Sequence, residues 1–252
     1  MLETTNGRTL KTTRTSLRIL ELILEHDGLT LAEIDRIVDK PKSSLHSHLN
    51  TLLDCRYVVK NGRTYSASFR LAVLGDRARR GDLEVVATDT VERLAEETGE
   101  EANFTVFEHG RLLLLHGSTN QAEHEGEGGF RTEYYLHNTA AGKAILAELG
   151  RDHVDRILDE WGMPREIEAT VTDRDRLYDQ LEEIAGKGYA IIDEEFAPGL
   201  VAVGAPVHAD GEIVGGLSIG GPKYRINMTR LHEELAEQLL DAVEGMEDAL
   251  RA

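Results

Sequence analysis

Several things are missing from this 252-residue chain, and each absence excludes something. It has one cysteine, Cys55, so no internal disulfide can form. No apolar run approaches the roughly 18 residues of a membrane span, and no charged-then-apolar leader opens the chain, so a soluble, cytoplasmic protein with no membrane partner is expected. The Gly-x-Ser-x-Gly, His-Glu-x-x-His and Gly-x-x-x-x-Gly-Lys-Ser/Thr patterns are all absent. Ser218 lies between Gly215-Gly216 and Gly220-Gly221 with no obvious base, so the chain reads as no enzyme and as needing no cofactor. His116, His124 and His137 lack ligand spacing and Cys55 is remote, so no metal site is expected.

Lysine is also scarce, at seven residues against 21 arginines. The whole chain carries 28 basic and 46 acidic side chains, a net charge of −18. The halves differ: residues 1–75 hold 11 basic and 8 acidic groups, whereas residues 76–252 hold 17 and 38. That asymmetry points to two domains with separate tasks, the first able to face a polyanion. Acid-rich, lysine-poor composition fits a halophilic protein, with an ordinary acidic cytosolic protein as the alternative.

What is present first is an ordered set of short elements. Residues 16–26 place Leu17, Leu20, Ile23 and Leu24 on one helical face, and Gly28 ends that helix. Thr30 with Glu33 forms a capping box for a second helix striped by Leu31, Ile34 and Val38. Asp39-Lys40-Pro41 breaks it, and a third helix sets Leu45, Leu49, Leu52 and Leu53 inward. Its opposite face shows Ser43, His46, Ser47 and Asn50, flanked by Lys42, Ser44 and His48. Such a face is either solvated or a set of donors for base edges and phosphates. A hairpin then follows, strands 57–59 and 64–66 around Asn61-Gly62, with Lys60 and Arg63 at its tip. Helix, turn, helix and basic-tipped wing together predict a winged helix-turn-helix over residues 1–68, bound to a double-stranded DNA operator. Arg8, Lys11 and Arg14 read as a basic arm on the backbone or minor groove, or as a tail without fixed structure.

Residues 69–82 read as a helical linker, and Leu83, Val86, Val91 and Leu94 continue a helical pattern at the start of a second domain over 83–252. That linker either carries a dimer contact or simply connects. Strands are expected over 103–108 and 111–116, helices near 141–149, 153–161 and 173–186, and strands near 189–193, 201–207 and 213–219. A last amphipathic helix runs over 227–251. A mixed sheet with flanking helices is an α+β domain of the kind that holds small molecules beside its sheet.

Two segments carry a family resemblance. His137-Asn-Thr-Ala140-Ala-Gly142-Lys143-Ala144-Ile-Leu146 resembles the loop-to-helix segment of IclR-type transcription regulators. Gly188-Tyr189-Ala190-Ile-Ile-Asp193-Glu194-Glu195-Phe196-Ala-Pro198-Gly199-Leu200, continuing through Ala205-Pro206-Val207 to Gly215-Gly216-Leu217-Ser218-Ile219-Gly220-Gly221-Pro222, resembles that family's longest signature. Ser16-Leu-Arg-Ile-Leu20 and Pro41-Lys-Ser43 are similar to its N-terminal helices, so the resemblance covers roughly residues 12–250.

The resemblance implies a GAF-like effector-binding second domain, a homodimer or dimer of dimers, and regulation by a small-molecule effector. That effector is expected to be an intermediate of carbon-source catabolism such as a sugar acid. It also implies an effector site built from Asn138, Thr139, Ala140, Ala141 and Gly142, the strand at Ile192-Asp193, Ala202, and the strand carrying Ser218 and Gly220. The sequence departs from the family's usual polar set by Ile192, Ala202 and Gly220, which predicts a ligand other than a small 2-keto acid, or none. Asp193-Glu194-Glu195 either orients the pocket loop or is a solvated strand end. The rival to a ligand-responsive regulator is a constitutive or architectural DNA binder whose second domain only oligomerises.

Overall fold

The computed structural model describes residues 7–78, 81–119 and 132–251, which divide into two units, 7–78 and 81–251, each with its own core. In the first, α1 (Lys11–Glu25), α2 (Leu31–Ile37) and α3 (Lys42–Asp54) pack on a three-stranded antiparallel sheet of β1 (Leu29–Thr30), β2 (Val58–Asn61) and β3 (Thr64–Ala67), in the order β1-β3-β2. The capping box that starts α2 is complete: Glu33 Oε2 accepts from the Thr30 amide at 2.7 Å, and Thr30 Oγ1 accepts from the Glu33 amide at 3.4 Å. Leu45, Leu49 and Leu52 are buried on the inner face of α3 beside Ile34, Val58 and Tyr65. Each fully buried leucine or isoleucine contributes about 1.5–3 kcal/mol.

Helix α1 differs from expectation in its face. Ile19, Leu20, Leu22 and Ile23 are buried, whereas Leu17 and Leu24 remain 53% and 52% exposed. Apolar residues surround this helix between positions 17 and 24, so periodicity cannot choose a face, and packing against α3 does. The wing turn also sits one residue later than Asn61-Gly62. Asn61 pairs with Thr64, leaving Gly62-Arg63 as the two loop residues, with Gly62 at φ +61° in the glycine-first position of a tight hairpin. After the wing, α4 (Arg70–Ala78) stays in this unit, and Leu71 packs onto its core.

The second unit begins with α5 (Gly81–Thr98) and holds a six-stranded sheet. Its strands are β4 (Glu101–Glu108), β5 (Arg111–Ser118), β6 (Glu133–Tyr134), β7 (Ala190–Asp193), β8 (Leu200–Ala209) and β9 (Glu212–Pro222), in the order β6-β5-β4-β9-β8-β7. Every pairing among the described residues is antiparallel, which corrects the expected mixed sheet. Two hairpins fix the direction, at His109-Gly110 (φ +49° and +75°) and Asp210-Gly211 (φ +52° and +79°), both central residues being left-handed as a type I′ turn requires.

The sheet separates two helical layers. Along β8, Val201, Val203, Ala205 and Val207 join the core with α5 and α10 (Ala236–Arg251). That last helix is preceded by α9 (Met228–Arg230) and a π-helical turn, Leu231–Leu235. The alternate β8 positions face α6 (Ala140–Glu148), which packs with α7 (Arg151–Trp161) and α8 (Arg174–Ala185) in a separate core. This is an α+β domain with helices on both faces of one sheet. Two glycines set how close α6 comes. A Cβ on Gly204 would meet the Ala141 amide nitrogen at 2.2 Å, and one on Gly216 would meet Ala141 Cβ at 2.7 Å, so the start of α6 lies flush on β8 and β9.

Candidate nucleic-acid interface and ligand site

Ser43, His46, Ser47 and Asn50 are exposed along one face of α3, with Lys42 exposed beside them and Ser44 half-buried. Local bonding sorts this face. Ser47 Oγ donates to the Ser43 carbonyl at 3.1 Å, which leaves its oxygen free to accept, and Lys42 Nζ lies 3.4 Å from Asp35. His48 is turned away: its Nδ1 is 2.7 Å from Ser16 Oγ on α1, so it braces two helices. On the wing, Lys60 Nζ sits 4.9 Å from the centre of the Tyr65 ring, its cross-strand partner, and Arg63 is exposed in the turn. Arg14 lies in the first turn of α1, so it is not on an extended arm; only Arg8 precedes the helix. A polar helix face beside a basic hairpin is the geometry that enters a major groove and touches the flanking backbone.

On the α6 side of the second sheet, Ala140, Ile192 and Ala202 form a small buried apolar cluster, with Phe196 and Leu200 against it. Gly220 pairs with Ala202, and Ser218 pairs with Gly204 two residues along, so both lie on the same sheet face. Ser218 Oγ donates to Asn103 Oδ1 at 3.0 Å, a partner that sequence spacing gave no way to find. Asn138 is fully buried before α6. Its amide donates to Glu166 at 2.7 Å, while Oδ1 has no partner among the described residues. The Thr139 side chain does not cap the helix, since its hydroxyl donates back to the Tyr135 carbonyl at 2.9 Å. The first amides of α6, at Ala140, Ala141 and Gly142, therefore meet the sheet without a side-chain cap. Asp193 does not join this cluster. It is exposed and paired with Lys223 at 2.6 Å.

The acidic run splits by residue. Asp193 and Glu194 hold Lys223 at the surface, and that contact lowers the Glu194 pKa. Glu195 turns inward to Lys143, whose Nζ lies 2.6 Å from both carboxylate oxygens and 2.9 Å from Gln180 Oε1. Lys143 is 1% exposed, and burial pushes its pKa down while Glu195 opposes that shift. A lysine inside the apolar run Ala140–Leu146 of so lysine-poor a chain was the signal for a buried role. His137 is buried against the Pro164 carbonyl, and burial lowers its pKa. His116 lies near Glu92, apart from His137; His124 falls outside the described residues. Among the described residues no group of three or more His, Cys, Asp or Glu is placed to hold a metal, and no helix is long and apolar enough to cross a membrane.

A winged helix-turn-helix followed by an α+β domain with an uncapped helix on its sheet defines a two-domain DNA-binding transcription regulator. Residues 15–62 match the model of the IclR helix-turn-helix domain, and residues 77–247 match that of the bacterial transcriptional regulator IclR C-terminal domain. The chain belongs to the IclR family, whose members are transcription regulators rather than enzymes. It is 34% identical to the HTH-type transcriptional regulator BhcR of Paracoccus denitrificans over 86% of this chain and 79% of that one. Against the probable HTH-type transcriptional regulator ArcR of Halobacterium salinarum the identity is 29%, over 92% and 90%. The fold is also that of an IclR homologue from Microbacterium hydrocarbonoxydans crystallised with 4-hydroxybenzoate, with a TM-score of 0.75, 21% identity, and coverage of 93% of this chain and 98% of that one.

Proposed function

We propose that the first unit reads a palindromic operator through Ser43, His46, Ser47 and Asn50, with Lys42, Ser44, Lys60 and Arg63 near the backbone, and that a small carboxylate with an apolar body, bound at the start of α6, sets its affinity. The ligand rests on Ala140, Ile192 and Ala202, its acid group faces the amides of Ala140–Gly142, and Asn138 Oδ1, Ser218 and Gly220 line the remainder. The observation that carries this reading is the uncapped start of α6 beside an apolar cluster and a buried, unpartnered Asn138 oxygen. A polyhydroxylated sugar acid would need more hydrogen-bonding groups than this face supplies, so an aryl or alkyl acid fits better. The 4-hydroxybenzoate held by the Microbacterium homologue is of that class. The protein works as a homodimer or dimer of dimers, with α4 as the helical connection, in a salt-rich cytoplasm.

The test is fluorescence anisotropy of the full chain on its own upstream intergenic DNA in molar KCl, against a scrambled duplex, with and without a panel of aryl and alkyl carboxylates. Sequence-selective binding that one acid shifts supports the proposal. By reciprocity the operator must then change the affinity for that acid by the same factor. Selective binding that none of the acids moves would favour the constitutive reading, and equal weak binding to both duplexes would overturn the operator reading itself.

A further inference from the structure

His208 closes β8 at a register irregularity between Val207 and His208, and it stands between two carboxylates. Its Nδ1 lies 2.9 Å from Glu247 Oε1 on α10, and its Nε2 lies 2.8 Å from Glu148 Oε2, the last residue of α6. The two helices lie on opposite faces of the sheet, so the ring ties one layer to the other around the end of β8. Ionised carboxylates only accept hydrogen bonds, and a neutral imidazole has one N–H to give. Both contacts are therefore hydrogen bonds only when the ring carries both protons.

We propose that His208 is a pH-operated clip that holds the C-terminal end of α6 while protonated and releases it when the ring loses a proton.

The two sides of the clip are unequal, which fixes what opens. Glu247 is held three ways: Oε1 also accepts from the His208 backbone amide at 2.9 Å, and Oε2 accepts from Arg251 at 3.2 Å. Among the described residues Glu148 has only the ring. The neutral imidazole therefore keeps Nδ1–H on Glu247 and turns the Nε2 lone pair toward the Glu148 carboxylate, a repulsive contact at that distance. The imidazolium also sits at the C-terminal end of α6, where a helix favours a cation. Arg251 holds Glu247 and Asp248 on α10, and Asp210 and Glu212 belong to the hairpin that follows His208. Burial on its own would lower the His208 pKa, but the bonds to Glu247 and Glu148 outweigh it and hold the value above the ordinary 6.5. A raised folded-state pKa means that the stabilisation is complete below 6.5 and is lost as pH rises through the folded value.

Two measurements on the full chain test the clip. NMR of the His208 ring, followed against pH, is expected to titrate above 6.5 and to move down by a measurable fraction of a unit in Glu148→Gln, a conservative change at a partly exposed position. Hydrogen exchange of the last turn of α6, corrected to protection factors, is expected to lose roughly two- to fivefold protection as pH passes that midpoint. That step should vanish in Glu148→Gln and in His208→Phe. Protection that is independent of pH in the wild type, or an equal step in Glu148→Gln, would overturn the clip, as would a ring that titrates at the same pH in both proteins. The exchange measurement does not depend on the ligand site proposed at the other end of α6, so the two proposals can fail separately.

Discussion

Breaking the Lys143–Glu195 pair from one side is the sharpest test of how the second unit is held together. The ammonium is 1% exposed, the carboxylate side chain 11%, and the two meet at 2.6 Å between α6 and the segment that follows β7. At an effective dielectric of about 20 the attraction is on the order of 4 kcal/mol, similar in size to the desolvation that burial imposes, so the intact pair contributes little net stability. Removing one partner is different, because the other charge is then left buried without compensation. Glu195→Gln or Lys143→Met is each expected to cost about 3–5 kcal/mol, whereas the double replacement Lys143→Met with Glu195→Leu should cost clearly less than the sum. Trp161 is the chain's single tryptophan and lies in α7, so its fluorescence follows unfolding of this unit alone. For a unit of this size each kcal/mol moves Tm by roughly 2–4 °C, which places the single variants on the order of 10 °C below the parent. Raising KCl to molar concentration screens exposed pairs but not this one, so the gap should persist. Single variants within about 1 kcal/mol of the parent, or a double variant that loses the full sum, would refute the reasoning.

Other expectations follow from single contacts. Gly204→Ala places a Cβ against the backbone of Ala140 and Ala141, which cannot move as a side chain tip can, so it should lower stability by about 1–3 kcal/mol in urea titration; a neutral result would mean that α6 does not lie flush on β8. Asn50→Ala and His46→Ala should each weaken operator binding by roughly 5- to 150-fold, leaving a scrambled duplex unaffected in anisotropy. His137 has its pKa lowered by burial, so its neutral form belongs to the folded state. The stability it confers is complete above 6.5 and falls as pH drops below that value, and His137→Gln should flatten the decline of Tm between pH 7 and 5.

How much of this was legible in the sequence depended on whether one local pattern decided the matter. Helix α3 was plain because Leu45, Leu49 and Leu52 repeat at helical spacing with polar residues between them, and the α2 capping box uses positions three apart. The face of α1 was not, since Leu17, Ile19, Leu20, Leu22, Ile23 and Leu24 offer several apolar stripes and only contact with α3 selects one. The cluster of Ala140, Ile192 and Ala202, proposed here as the ligand side, is reached only through the family resemblance, since no spacing joins position 140 to 202. The same resemblance implies Asp193 in that group, whereas the structure pairs it outward with Lys223, thirty positions on in the chain. The same limit hid Asn103 beside Ser218, 115 residues away, and Glu195 beside Lys143. Two-residue β6 carries too short a pattern to announce itself.

The electrostatics of the first unit bear on how it holds DNA at all. Duplex binding that relies on neutralising Z phosphates weakens with a log–log salt slope of about −0.9Z, which is ruinous in molar salt. Here four of the basic side chains already have partners within the protein. Lys42 faces Asp35, Arg18 faces Glu21 and Glu25, Lys60 lies on the Tyr65 ring, and Arg70 lies on the Tyr57 ring at 5.6 Å. Lys42, Lys40 ahead of α3 and the wing-turn Arg63 are exposed cations of this unit, so each chain is expected to neutralise only about two or three phosphates, for a slope near −2 to −3 per chain. Binding strength must then come from neutral donors and acceptors, of which His46, Ser47 and Asn50 are the set that α3 presents. Anisotropy titrations on the operator across a range of KCl give the slope directly. A value of −6 or steeper per chain would mean that phosphate contacts dominate, and Arg63→Ala should then change binding far more than Asn50→Ala does.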